Sequence, residues 1–200
     1  MNPISDNTHS GDKGFENDLV HALETLHTGG LILYPTDTVW GIGCDATNPL
    51  AVEKVYQLKS RPGAKALIVL VAGERDILQH VASPDLALFD FLAVQDKPTT
   101  VVYEGAIGFA DNLLPNDGSI AIRICRDEFC KHLIRRFRKP IVSTSANISG
   151  EPSPAHFGEI APAVKAGVDY IVAHRQNDRQ PASPSAIMRW ENGDVSWIRR

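Results

Sequence analysis

Phe15, Leu19, Leu23 and Leu26 recur three and four residues apart among polar positions, the spacing of one helix face. Gly29-Gly30 can end that helix in a left-handed turn. Residues 31–34 are a short apolar run of strand type, and 35–43 read as a turn-rich stretch. Asn48 before Pro49 supplies an N-cap and a first helical position. That helix should turn Leu50, Val55 and Leu58 to the core and end near Arg61, because Pro62 disfavours helical geometry before it. The aliphatic run at 67–71 predicts a buried strand. Helical or irregular segments follow over 74–94, then strands over 99–103 and 120–124 with a loop over 107–118. Phe129, Leu133 and Phe137, four apart, place a helix over 127–137. A short strand at 141–142 opens into a Ser/Asn-rich loop. A helix near 155–166 and strands near 168–172, 185–190 and 195–199 complete the pattern. Strands interleaved with helices, without repeat or linker, predict a single-domain α/β fold with a mixed sheet and flanking helices. Residues 1–14 are expected to be a flexible N-terminal tail and 15–200 the domain.

Composition narrows the picture. Hydrophobic residues make up 43% and charged residues 22%, enough apolar surface to offset the entropy of ordering. The longest apolar run, 66–72, falls far short of the ~20 residues that span a bilayer. The polar start lacks the apolar core of an export signal, so the expected compartment is cytoplasmic, with no membrane partner. A net charge of −4 argues against sequence-blind nucleic-acid binding. Cys44, Cys125 and Cys130 form no C-x-x-C pair and read as reduced thiols. The histidines lack metal-ligand spacing, and no nucleophile elbow, Walker loop or dinucleotide fingerprint occurs.

Three clusters carry possible chemistry. Lys59-Ser60-Arg61-Pro62-Gly63-Ala64-Lys65 puts three cations at a helix end. Convergent Lys and Arg suit a triphosphate, yet cations there also simply complement the helix dipole, which the spacing alone favours. Ser143-Thr144-Ser145-Ala146-Asn147-Ile148-Ser149-Gly150, followed by Ser153, offers hydroxyls, an amide and backbone N–H groups after a strand. Such a loop can hold phosphate or ribose, or bond its own backbone, and the two readings are even. Seven cations between Arg123 and Lys139 (Arg126, Lys131, Arg135, Arg136 and Arg138 between them) could touch RNA, though a solvated helix face explains them better. Trp40, Trp190 and Trp197 read as packing groups and Asp37 as a local cap.

Taken together, Tyr34-Pro35-Thr36-Asp37-Thr38-Val39-Trp40-Gly41-Ile42-Gly43, Lys59-Ser60-Arg61-Pro62 and the Ser143–Gly150 motif resemble the YrdC-domain family, the threonylcarbamoyl-AMP synthases. The family hallmark, K-x-R and later S-x-N, is matched by Lys59, Arg61, Ser145 and Asn147. Gly118-Ser119-Ile120-Ala121-Ile122-Arg123 and Pro184-Ser185-Ala186-Ile187 with Arg199 are further echoes. Trp40 stands where the family usually has Tyr, Ala66 where a Pro is common, and Ala186 where a Thr is common. Only Pro98-Thr99-Thr100 remains of a usual Trp-Pro-Gly and Pro-Leu-Thr stretch. A chain stopping at Arg200 is expected to be the short form without the extra C-terminal domain of longer members.

The resemblance implies a twisted sheet with a concave, positively charged cavity. It also implies a nucleotidyltransferase activity in which L-threonine, bicarbonate and ATP give threonylcarbamoyl-AMP and pyrophosphate. A threonylcarbamoyl transferase machinery would then use the adenylate to modify tRNA. It assigns Lys59, Arg61, Ser145 and Asn147 to catalysis and Thr38, Arg123, Ser143 and Ser185 to L-threonine. Arg61, Lys65, Ser119, Ser145, Ser153 and Arg199 go to ATP, with Mg²⁺ held mainly by the phosphates and no protein metal site. The alternatives are a non-catalytic RNA-binding module of the same fold, with possible direct tRNA contact, and a paralogue acting on another carbamoyl-type adenylate.

Overall fold

The computed structural model describes residues 9–60 and 67–200. Its frame is one nine-stranded sheet in the order β7-β1-β2-β6-β3-β5-β4-β8-β9. The strands are β1 (Ile32–Tyr34), β2 (Gly41–Asp45), β3 (Ile68–Val71), β4 (Thr99–Tyr103) and β5 (Ile120–Ile124). β6 (Ile141–Ser145), β7 (Tyr170–Ile171), β8 (Ala186–Glu191) and β9 (Asp194–Arg199) follow. Three pairs are parallel (β1/β7, β3/β5, β4/β8) and the rest antiparallel, so the sheet is mixed, as the pattern predicts.

Two apolar layers cover the sheet. On one face α1 (His9–His27) and α5 (Glu128–Phe137) pack Leu19, Leu26, Phe129 and Leu133 against Ile32, Leu70 and Ile141. On the other, α2 (Pro49–Leu58), α3 (Glu74–His80) and α4 (Ala87–Ala93) cover Leu33, Ile42, Val69, Val101 and Ile122. Strand alternation sorts neighbours between the layers: Ile141 goes to the first and Val142 to the second.

Local chemistry sets the element ends. Asn48 Oδ1 accepts from the N–H groups of Leu50 and Ala51, capping α2 with Pro49 in its first turn. Asp127 caps α5 by accepting from Cys130 N at 2.9 Å. Gly29, at φ 73°, takes the left-handed conformation that ends α1.

Several expectations change. Helix α1 starts at His9, before the Phe15–Leu26 periodicity and inside the segment read as tail. Leu50 is 76% exposed, because Ala51, Val52, Val55 and Tyr56 form the buried stripe of α2 and Leu50 falls beside it. The turn-rich stretch hides a strand, β2. The 141–142 strand extends to Ser145. The helix near 155–166 splits into a 3₁₀ turn (Phe157–Glu159) and α6 (Pro162–Ala166), and the 107–118 loop holds another 3₁₀ turn (Asp111–Leu113). No helix among the described residues is long and apolar enough to cross a membrane.

Candidate active site

The face that α1 and α5 cover at one end is bare at the other, and there the strands carry polar groups. Ser119, Ala121 and Arg123 from β5 and the loop before it, and Ser143 and Ser145 from β6, line a cavity of about 450 Å³. Register fixes their spacing: Gly41 pairs with Ser145, Gly43 with Ser143, and Ile68 with both Ser143 and Ala121. The glycines of β2 make this layering possible. A Cβ on Gly41 would sit 2.9 Å from Ser143 Oγ, and one on Gly43 2.6 Å from Tyr34 Cε1. The remaining wall comes from Thr38 in the turn before β2, from Ser153, from Ser185 before β8, and from Arg189 and Arg199.

Eight of the residues expected at the site therefore share one cavity: Thr38, Ser119, Arg123, Ser143, Ser145, Ser153, Ser185 and Arg199. Arg61 and Lys65, with Ala66, lie outside the described residues. Lys59 and Asn147 are near the cavity without lining it. The Lys59 ammonium, 1% exposed, donates to Ser145 O at 2.5 Å and Asn147 O at 2.7 Å, while Lys59 O accepts from Ser149 N at 2.9 Å. Asn147 donates through Nδ2 to Ile148 O (2.9 Å) and Glu151 O (2.7 Å), and its buried Oδ1 has no partner among the described residues. The two hallmark residues thus fasten the loop that follows β6.

Arg123 is 4% exposed and pairs with Asp37 at 3.1 Å, and the same Nη2 donates to Thr38 Oγ1 at 3.1 Å. Asp37 is not a local cap: its other oxygen accepts from Arg126 N at 2.9 Å. Arg199 donates through Nε and Nη2 to Ser185 O. Partial burial, and then the neighbouring Arg123 charge, hold its pKa below the ordinary arginine value. Ser185 Oγ shares a hydrogen bond of 2.9 Å with Thr100 Oγ1. Ser119 donates its hydroxyl (2.7 Å) and its N–H (3.0 Å) to Asp117, whose carboxyl these bonds hold below the usual carboxylate range. Asp117 and Arg189 are cavity residues that the motifs do not mark.

Trp40, 6% exposed, packs on Phe157 away from the cavity lining, and Ala186 is buried. Cys44 lies in the core with its thiol pKa pushed up by burial, and Cys125 and Cys130 are buried as well. The 123–139 cations do not form one face. Arg123 pairs with Asp37, Arg126 with the carbonyls of Leu92, Gln95 and Asp96, Lys131 with Glu128, Arg136 with Glu16, and Lys139 with Asp45. Among the described residues no group of three His, Cys, Asp or Glu side chains has the arrangement of a metal centre.

The Sua5/YciO/YrdC family model, described as "Telomere recombination", matches residues 24–200. The chain belongs to the Sua5/YciO/YrdC family. It is 31% identical over 169 residues to a protein of Idiomarina loihiensis named threonylcarbamoyl-AMP synthase, covering 83% of this chain and 90% of that one. With a protein of the same name from Pseudoalteromonas translucida the identity is 30% over 183 residues, covering 90% and 97%. The crystal structure of P. abyssi Sua5 complexed with L-threonine shares the fold, with a TM-score of 0.80 at 22% identity. That match covers 92% of this chain and 54% of the P. abyssi chain.

Proposed function

We propose that the chain is a threonylcarbamoyl-AMP synthase, a nucleotidyltransferase that supplies an activated threonylcarbamoyl group for tRNA modification. The observation that carries the proposal is the convergence of Thr38, Arg123, Ser143 and Ser185 with Ser145 and Arg199 on one cavity, in a family whose curated relatives bear that name. In this reading the amine of L-threonine combines with bicarbonate, losing water, to give a carbamate. A carbamate oxygen then attacks the α-phosphorus of ATP, forming one P–O bond as the bond to the pyrophosphate leaving group breaks. Such a transfer needs alignment and charge neutralisation rather than a protein nucleophile, and the cavity offers hydroxyls and guanidiniums accordingly.

Arg123 would take the threonine carboxylate, with Thr38, Ser143 and Ser185 around the rest of the molecule. Arg199, Ser145, Ser119 and Ser153 would contact ATP, joined by Arg61 and Lys65. Ser119 Oγ–H donates its hydrogen bond to Asp117, so the hydroxyl oxygen would meet the nucleotide as an acceptor. Mg²⁺ would arrive with the ATP, held mainly by its phosphates, and the adenylate would leave to a transferase that acts on tRNA.

Pyrophosphate release from the purified chain tests this. With ATP, bicarbonate and L-threonine present, release should be sustained, and omitting threonine should abolish it. Release that ignores threonine would assign the cavity to another acceptor.

A further inference from the structure

Asp37 does not itself line the cavity but holds Arg123, which does, and no role assigned by motif falls on it. It is 8% exposed. Oδ1 accepts from Arg123 Nη2 at 3.1 Å and lies 3.5 Å from Cys125 Sγ, while Oδ2 accepts from Arg126 N at 2.9 Å. The turn that carries it is fixed from within. Thr36 Oγ1 donates to Val39 O (2.8 Å) and accepts from Thr38 N (3.0 Å), and Arg175 Nη1 donates to Thr36 O (3.1 Å).

Arg123, in contrast, is only half used. Among the described residues, both of its hydrogen bonds leave from Nη2, to Asp37 and to Thr38, and its Nε is buried without a partner. A buried N–H that the protein leaves unpaired calls for a ligand or a water. The nearby Arg199 guanidinium adds positive charge on the same side. An arginine edge with one free N–H in a cationic hollow is suited to a carboxylate.

We infer that Asp37 is a positioning residue. By pinning Nη2 it fixes the guanidinium plane of Arg123, so that the free Nε edge meets the carboxylate of a small amino acid. That the amino acid is L-threonine rests on the function proposed above; the clamp itself does not. Asp37→Asn keeps the shape but sets an amide N–H₂ against either the guanidinium or Arg126 N, so the plane of Arg123 is no longer held.

Calorimetric titration of the full chain with L-threonine and, separately, ATP tests the clamp in wild type, Asp37→Asn, Arg123→Ala and the double variant. Asp37→Asn should weaken threonine about tenfold or more and leave ATP within about twofold, the loss of one charge-assisted anchor. In the Arg123→Ala background it should do nothing further, since coupled residues are not additive. Threonine binding unchanged by Asp37→Asn, equal losses for both ligands, or additive effects would each overturn the inference. If wild type ignores L-threonine, L-serine, L-aspartate and acetate are titrated next. Binding of one that depends on both Asp37 and Arg123 upholds the clamp and removes threonine as the ligand, and no binding overturns the clamp. Should Asp37→Asn fail to fold, the arginine Nε–H resonance missing in Arg123→Lys is followed in wild type. It should move on saturation with the carboxylate, and a stationary signal counts against the clamp.

Discussion

Lys59 is the residue whose motif and geometry diverge most. Its ammonium is buried under the loop after β6 and satisfies two carbonyls of that loop, which no neutral side chain of similar length can do. In Lys59→Met those carbonyls lose their charged donor. Desolvating the ammonium partly offsets the loss, leaving a net destabilisation of about 2 kcal/mol. A urea midpoint lowered accordingly, with a raised KM for ATP because Ser145 loses its anchor, is the expected pair of results. An unchanged midpoint would mean the contacts are idle. Read along the sequence, Lys59 is a cation at a helix end and suggests a phosphate ligand. Its actual partners lie 86 and 88 residues later, a distance that no local pattern encodes.

At the scale of elements, segments with apolar periodicity were legible and segments without it were not. β4 and β5 match the expected bounds because Thr99–Tyr103 and Ile120–Ile124 are rich in β-branched residues. β2 escaped because two of its five residues are glycines, which signal turns in isolation. Their reason is a neighbour: Tyr34 from β1 and Ser143 from β6 occupy the space their side chains would need. Gly43→Ala should therefore push a Cβ to 2.6 Å from the Tyr34 ring and 3.1 Å from Val142 O. Overpacking of that kind costs about 1–3 kcal/mol, readable as a lower thermal midpoint. A variant as stable as the parent would mean that β2 and Tyr34 part easily. The same long-range logic hid Asp37, whose partner Arg123 is 86 residues away. The site's small polar groups, in contrast, stood out in sequence because Ser143, Ser145 and Asn147 crowd the end of β6 and the turn after it.

For the molecule as a whole, acid is the expected weak side. Glu16, Asp85, Asp117, Glu128 and Asp178 all have carboxyls held below their ordinary pKa, by Arg136, Trp190, Ser119, Lys131 and the Gln180 N–H respectively. A lowered folded-state pKa gives stability that is present above the unfolded value and lost as pH falls through the folded one. The thermal midpoint should thus start to drop as pH falls below the ordinary carboxylate range, about pH 4, and go on dropping with further acid. Asp85 joins the segment before α4 to β8 through Trp190 Nε1 at 2.8 Å, so Asp85→Asn should flatten that drop. Parallel pH curves for parent and variant would argue against this.

The sheet order carries a consequence of its own. β6 separates a three-stranded leaf, β7-β1-β2, from a five-stranded one, β3-β5-β4-β8-β9. Thr38 and Gly41 belong to the first side of the seam and Arg123, Ser185 and Arg199 to the second, with Ser143 and Ser145 on the strand that closes it. Without β6 between them, both leaves would present raw edges open to misassociation. With β6 in place, any small molecule touching both leaves works as a staple across the join.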